Sequence, residues 1–206
     1  MIKKIAYYQN SNSEEANIDL AVFLVKTQNE AGIKEIVEGL KDKNPAVQAD
    51  CIKVLYEVGK LEPQLIENYA AVFLELLSNK NNRLIWGAMT ALASISFNQA
   101  DYLFKNLKSV LSAYYLGSVI TVDQAVSVLA GISKANQDYE ATIFPLLLKH
   151  LNNCRAKEIP QHAKRILVCI NKQNQADFIE VLEKRKAELS PASLQRLNKI
   201  LKRLNN

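Results

Sequence analysis

The stretch NPAVQADCIKVLYEVGK, residues 44–60, decides the fold of this chain of 206 residues. Its apolar residues recur at i, i+4, i+7, i+8 and i+11, which is the spacing of one face of a helix. They are Val47, Cys51, Val54, Leu55 and Val58. Asn44 followed by Pro45 is typical of a helix start, with proline in the first turn. The stretch therefore predicts an amphipathic helix with a single buried stripe.

The same pattern returns in residues 81–97, 117–134 and 156–172. Its second position is always small, which allows another helix to approach closely: Cys51, Ala88, Ala125 and Ala163. Its fourth position is always leucine, at intervals of about 37 residues: Leu55, Leu92, Leu129 and Leu167. A regular interval of this length indicates tandem structural repeats rather than a single irregular core.

Further helical stripes lie between the copies of the pattern, joined to them by short polar connections. They predict helices at 14–28, 33–43, 63–79, 99–115, 137–153 and 175–189. Ser190 is a candidate N-cap for a last helix that begins at Pro191. Two helices in each unit, repeated in tandem, are the plan of a solenoid.

Residues 33–172 resemble HEAT repeats, which belong to the armadillo-type solenoids. The resemblance is clearest in NPAVQADCIKVL, residues 44–55, which is similar to the family's Asp/Asn-Pro-x-Val…Ala…Ala-Leu second helix. It implies an all-α fold, a right-handed α-α superhelix of about five helix pairs. We expect one domain over residues 1–206, in which 1–32 form an N-terminal cap, 33–172 four repeats and 173–206 a C-terminal capping helix pair.

Trp86 is the only tryptophan and falls nearly opposite the buried stripe of its helix, at about 100° of rotation per residue. Ala49, Asp123 and Gln161 are its equivalents in the other repeats. The same rotation predicts that Ile52 and Met89 pack sideways against neighbouring helices. The alternative for Trp86 is that a neighbouring helix or the capping segment covers its ring.

In HEAT proteins the second helices line the concave surface, so the resemblance implies that the outward columns face a groove. An aromatic ring surrounded by charged and polar groups is the composition of a binding hot spot. The predicted partner-binding residues are Lys53, Tyr56, Trp86, Thr90, Asp123, Ser127, Gln161 and Arg165. We expect a protein partner whose identity the sequence does not give, bound by a scaffold or adaptor.

Positive charge is concentrated in the second half of the chain. Residues 1–100 carry 10 Lys+Arg and 12 Asp+Glu, whereas residues 101–206 carry 16 and 9. This asymmetry leaves nucleic acid or an acidic partner open, beside a simple solvated face. No apolar run approaches the roughly 20 residues of a membrane span, and no signal peptide is recognisable. Three widely spaced cysteines favour a reducing, cytoplasmic location without disulfides.

Motifs for catalysis or cofactors are missing from the sequence, which contains no GxGxxG, P-loop, GxSxG or HExxH. His150 and His162 fall on different predicted helices and are expected to be surface or capping residues. We therefore predict no catalytic residue, no metal and no cofactor. The enzymatic alternative is a DNA glycosylase of the alkylation-repair HEAT type, but the acid expected one turn after Trp86 is Thr90, and Ser127 replaces the arginine.

Overall fold

The computed structural model describes residues 1–204, which form helices and turns without a β-strand. The α-helices are α1 (Glu15–Lys26), α2 (Glu30–Glu38), α3 (Pro45–Leu61), α4 (Ala70–Leu76), α5 (Asn82–Ile95), α6 (Ala100–Lys105), α7 (Leu107–Leu116), α8 (Val119–Ala135), α9 (Gln137–Asn153), α10 (Ile159–Ile166), α11 (Gln175–Lys184) and α12 (Pro191–Leu204). Contacts divide the chain into two compact units, residues 1–125 and 126–206, and the boundary falls within α8. None of the helices over residues 1–204 combines the length and apolar character that crossing a membrane requires.

The first unit is organised around α3, which packs against α1 on one side and α5 on the other. The preceding helix α2 also packs on α3, and α4 packs on α5. The helices that carry the apolar stripe are thus neighbours of one another, and each also contacts the helix before it in sequence. This is the packing expected of tandem helical hairpins.

The second unit repeats this arrangement with α9 to α12. Here α9 packs against both α10 and α11, and the stripe-bearing α10 packs against α12. Pro145 lies inside α9 and is exposed, so the helix keeps its predicted bounds of 137–153 in spite of the proline.

The predicted stripe is buried in the first three copies, where none of its residues is more than 3% exposed. Ile52 and Met89 are fully buried as well, as predicted. The fourth copy departs from the pattern because α10 ends at Ile166 and a 3-10 turn follows over Leu167–Cys169. A 3-10 turn has about three residues per turn, so the side chains beyond it rotate out of register. Ile170, which follows the turn, is consequently only half-buried, as is Leu167 at its first position, whereas Cys169 is buried.

Several of the predicted first helices are shorter than the sequence pattern indicates. The segment 63–79 begins as two 3-10 turns, Pro63–Leu65 and Glu67–Tyr69, before α4. The segment 99–115 is broken at Asn106, whose side-chain amide donates a hydrogen bond of 2.9 Å to the carbonyl of Tyr102. Asparagine competes in this way with the helical backbone, which explains the break.

Asparagine side chains cap the starts of four helices. In each case the side-chain oxygen accepts a backbone N–H in the first turn, at 2.7–2.9 Å: Asn29, Asn44, Asn81 and Asn136. The predicted start at Pro191 is also observed, where Ser190 Oγ accepts the N–H of Ser193 at 3.3 Å. These caps fix where each hairpin turns, and they therefore set the phase of the repeat.

Candidate partner-binding surfaces and a histidine–cysteine cluster

Trp86 is half-buried on α5, so it is neither sealed inside its hairpin nor fully open to solvent. Its ring contacts the ring of Tyr56 on α3, with 5.8 Å between centroids and 52° between planes. Thr90 Oγ1 donates a hydrogen bond of 2.7 Å to the carbonyl of Trp86. One side of the indole is thus held by α3, and the remainder is available at the surface.

Lys53 and the aromatic ring beside it are less exposed than predicted. Lys53 is 8% exposed, Tyr56 4% and Thr90 8%, although the rotation about the helix axis places all three away from the stripe. The prediction that these residues face a groove is wrong. The reason is that α1, α3 and α5 lie side by side, so neighbouring helices cover the flanks of each helix as well as its core face.

The ammonium of Lys53 is held by two carboxylates. Its Nζ lies 2.9 Å from Glu57 Oε1 and 3.0 Å from Glu14 Oε2, and Arg83 Nη2 lies 2.9 Å from the other oxygen of Glu14. Lys60 also donates to Glu57 Oε1 at 2.9 Å. Lys53 therefore links α3 to the start of α1, and its charge is compensated within the protein.

Electrostatics in this cluster favour the charged forms of Lys53 and Glu57. Burial opposes the charge of Lys53, but its hydrogen bonds to Glu57, Tyr56 and Glu14 outweigh burial and raise its pKa. Burial also opposes the charge of Glu57 and by itself would raise its pKa. The hydrogen bonds from Lys53 and Lys60 outweigh burial, and they hold the pKa of Glu57 below its ordinary value. The pKa of Tyr56 is raised, mainly by burial. The site is an ion-pair network in which Lys53 is buried while Lys60 and Arg83 remain exposed, and it lies beside the Tyr56–Trp86 ring contact.

Trp86 and its three equivalents do not share one degree of exposure. Ala49 is buried at 6%, Trp86 and Asp123 are half-buried, and Gln161 is exposed. The predicted solvent-facing row is therefore wrong at Ala49, which is buried on α3.

In the second unit, Arg165 of α10 donates a hydrogen bond of 2.6 Å from Nη1 to Ser127 Oγ of α8. The structure thus brings together two of the predicted partner-binding residues. Both are half-buried. Ser127 acts here as a structural acceptor for the guanidinium.

Gln161 opens onto a groove of about 390 Å³ between α10 and α12. Its walls carry four basic side chains: Lys164, Arg196, Lys199 and Arg203. Pro160, Leu167 and Ile200 provide apolar surface, and no acidic side chain is among the described residues that line it. The sequence indicated a basic C-terminal half, but only the packing of α10 on α12 brings Lys164 to the cations of the last helix.

His150 and His162 contradict the prediction that they are surface residues, since they are 8% and 1% exposed. Their rings are joined by a hydrogen bond of 2.7 Å between Nε2 of His150 and Nδ1 of His162. Cys154 Sγ belongs to the same cluster, and one ligand atom from each of the three residues lies within 4.8 Å of the others. The spacing of His150 and Cys154, four residues apart at a helix end, is the signal that the sequence offered. His162 could be added only once α10 was seen to fold back on α9.

The three cysteines are free thiols. Burial raises the pKa of Cys51 to about 12 and those of Cys154 and Cys169 to about 11. Cys51 and Cys169 are buried, as the sequence predicts, and they behave as small core residues. Cys154 is half-buried and is the one that lies beside histidines.

No protein-family model matches the sequence, and comparison with curated proteins gives no match either. Solved structures are similar in fold. A designed armadillo repeat protein in complex with the peptide (KR)4 superposes with a TM-score of 0.67 and 16% identity, over 94% of this chain and 87% of that one. A computationally designed armadillo repeat protein for modular peptide recognition gives 0.65 and 18%, over 91% of each chain.

A natural protein is similar as well, namely the karyopherin Kap121p bound to the SUMO protease Ulp1p. The TM-score is 0.63 at 17% identity, over 97% of this chain and 22% of that one. Together with the helical hairpins described above, these likenesses identify the fold as an all-α solenoid of the HEAT/armadillo type. The fold class predicted from the repeat is confirmed.

Proposed function

We propose that this chain is a non-catalytic scaffold that binds a protein partner, and that the groove between α10 and α12 receives an acidic segment of that partner. The observation that carries the proposal is the convergence of four cations, from two helices, on a groove with apolar walls and no lining carboxylate among the described residues. Solenoids of similar fold support a protein partner in general, since their structures include a peptide and a protein as ligands.

Charge repulsion within the groove favours an anionic occupant. Arg196, Lys199 and Arg203 lie three and four residues apart, so they share one face of α12. Like charges at this spacing destabilise a helix, while their position towards its C-terminus offsets part of that cost. Lys164 adds a fourth charge from the opposite wall. A carboxylate-bearing segment would relieve this repulsion.

Binding of a labelled (DE)4 peptide, followed by fluorescence anisotropy, tests the groove. We expect saturable binding that weakens as salt is added, because exposed charges are screened. The double variant Arg196→Glu/Lys199→Glu should bind the peptide at least about tenfold more weakly, since it reverses charges at the contact.

The matched control is Lys172→Glu/Lys202→Glu, which makes the same change in net charge at exposed positions outside the lining of the groove. Its affinity should equal that of the wild type. Equal weakening in both variants, or equal binding of a (KR)4 peptide, would refute the groove as the binding site. Tighter binding of a DNA duplex than of the acidic peptide would favour nucleic acid instead.

Trp86 is the contact that we propose in the first unit. Its indole contacts the ring of Tyr56 while part of it remains accessible, and an aromatic anchor of this kind is typical of a binding hot spot. The buried Lys53 and the paired Glu57 support the anchor without contacting the partner.

Affinity capture from the native host lysate, quantified by mass spectrometry, tests Trp86 together with Arg165. The variant Trp86→Ala/Arg165→Ala should lose the captured partner while keeping its helical circular dichroism. Tyr115→Ala/Lys157→Ala removes one aromatic and one basic side chain at exposed positions and should keep the partner. A partner retained equally by both variants would exclude these residues from the interface.

A further inference from the structure

We propose that His150, Cys154 and His162 form a Zn²⁺ site in the second unit, which clamps the end of α9 to the start of α10. Two imidazole nitrogens and one sulfur lie within 4.8 Å of one another, on two segments joined by a short loop. The site is separate from the basic groove and does not depend on the proposed function.

The donor set selects the metal. Imidazole and thiolate ligands suit Zn²⁺, whereas Mg²⁺ and Ca²⁺ require oxygen ligands. Three protein ligands with one position left for water are a known arrangement for zinc. Cys154 would coordinate as the thiolate, so its proton passes to the solvent when the metal binds.

The geometry requires a small opening of the histidine pair. Zn–N bonds of about 2.0–2.1 Å at a tetrahedral angle place two ligand nitrogens about 3.3 Å apart. The two nitrogens of His150 and His162 are now 2.7 Å apart, so an opening of about 0.6 Å replaces their hydrogen bond with two bonds to the metal. We expect rotation of the two imidazole rings to supply this opening while α9 and α10 stay in contact.

The cysteine end of the cluster is held in place by the backbone. Cys154 is the residue at which α9 ends, and its N–H bonds to the carbonyl of His150 at 2.8 Å. Arg185 of the next hairpin donates to the carbonyls of Leu151 and Cys154, at 2.6 and 2.9 Å. These bonds fix the turn that presents the sulfur to the histidines.

The charges near the cluster tolerate a divalent cation. Arg185 is paired with Glu188 at 2.7 Å, and Arg155 is paired with Glu158. Each nearby cation is thus matched by a carboxylate. Because His162 is almost fully buried, the site is also shielded from competing water on that side.

Cobalt substitution tests the site directly. After treatment of the full chain with EDTA and dialysis, Co²⁺ should bind with a stoichiometry of one. Binding should produce a thiolate-to-cobalt charge-transfer band and the intense visible bands of tetrahedral Co²⁺. Added Zn²⁺ should displace the cobalt and bleach both features. Zinc should also raise the melting temperature, because it binds the folded state.

Three variants test whether the proposed ligands, and not other side chains of the unit, hold the metal. Cys154→Ser should abolish the charge-transfer band and weaken Zn²⁺ binding at least about 100-fold, beyond the effect of losing an outer partner. Cys169→Ser removes another thiol of the same unit and should leave the spectrum unchanged. His162→Gln should weaken binding similarly, with circular dichroism as a check on folding.

The Co²⁺ titration of the wild type tests the proposed metal site even if His162→Gln fails to fold. Absence of the charge-transfer band in the wild type, or its persistence in Cys154→Ser, would overturn the proposal. In the first case His150 and His162 form only a hydrogen-bonded pair that packs α9 against α10.

Discussion

The ammonium of Lys53 contacts carboxylates from two segments of the chain. Glu57 comes from its own helix, one turn later, and Glu14 comes from the residue that precedes α1. The first pair is local, since the two residues are four apart on one helix. The second required α1 to lie along α3, a contact that joins residues far apart in sequence.

The lowered pKa of Glu57 predicts that the free energy of unfolding depends on pH. Its pKa is lowered in the folded protein, so its contribution is present above its ordinary value of 4.5 and is lost as pH falls through the lowered pKa. Glu57→Gln should therefore cost about 1–3 kcal/mol at pH 7. The difference from the wild type should be smaller at pH 3.5 than at pH 7, because the stabilising carboxylate form is lost as pH falls through the lowered pKa.

Urea unfolding at the two pH values measures this effect. The control is Glu75→Gln, which removes an exposed carboxylate from α4 of the same unit. Its stability curve should run parallel to that of the wild type. A difference between Glu57→Gln and the wild type that stays constant from pH 7 to pH 3.5 would show that the carboxylate form is not what stabilises the fold.

At the scale of elements, the close approach of α3 and α5 depends on Gly87. A Cβ built at this position would lie 2.7 Å from Cγ1 and 3.0 Å from Cγ2 of Ile52, which is fully buried on α3. Ile52 is branched at Cβ and has little freedom to move away. Glycine is therefore used here for its lack of a side chain.

Gly87→Ala should destabilise the protein, in spite of alanine's better helix propensity. Overpacking costs about 1–3 kcal/mol, and the gain in propensity returns about 1 kcal/mol. In an Ile52→Ala background the clash is gone, so Gly87→Ala should there be neutral or stabilising. Urea denaturation of the two single variants and the double variant measures the coupling. Additive effects would show that α3 and α5 separate easily at this point.

The repeat also shows which elements a sequence pattern describes well. The stripe-bearing helices α3, α5 and α8 were predicted closely, because a buried face imposes a strict period on the sequence. The first helices carry looser patterns, and the interruption at Asn106 depends on a local side-chain hydrogen bond. Boundaries of this kind follow from competition for backbone groups, which hydrophobic periodicity does not register.

For the molecule as a whole, the fold class could be predicted from the sequence, but the surface could not. Rotation about one helix axis says which residues face away from that helix's own hairpin. It does not say that α1 and α5 cover Lys53 and Tyr56 from the sides. The sequence did not reveal the cluster of His150, Cys154 and His162 for the same reason, since its members come together only where α10 packs against α9. Repeat proteins bury residues between neighbouring units, so each helix must be considered with its two lateral neighbours.

The half-buried position of Trp86 has a practical consequence. It is the sole tryptophan of the chain, so the intrinsic emission of the protein excited at the red edge of its absorption comes from this one indole. Tyr56, 5.8 Å away, is close enough to transfer excitation to it. A ligand that covers the indole should shift its emission to shorter wavelength and protect it from quenching by iodide. The protein thus carries a built-in optical reporter at the surface where its partner is expected, and no dye needs to be attached.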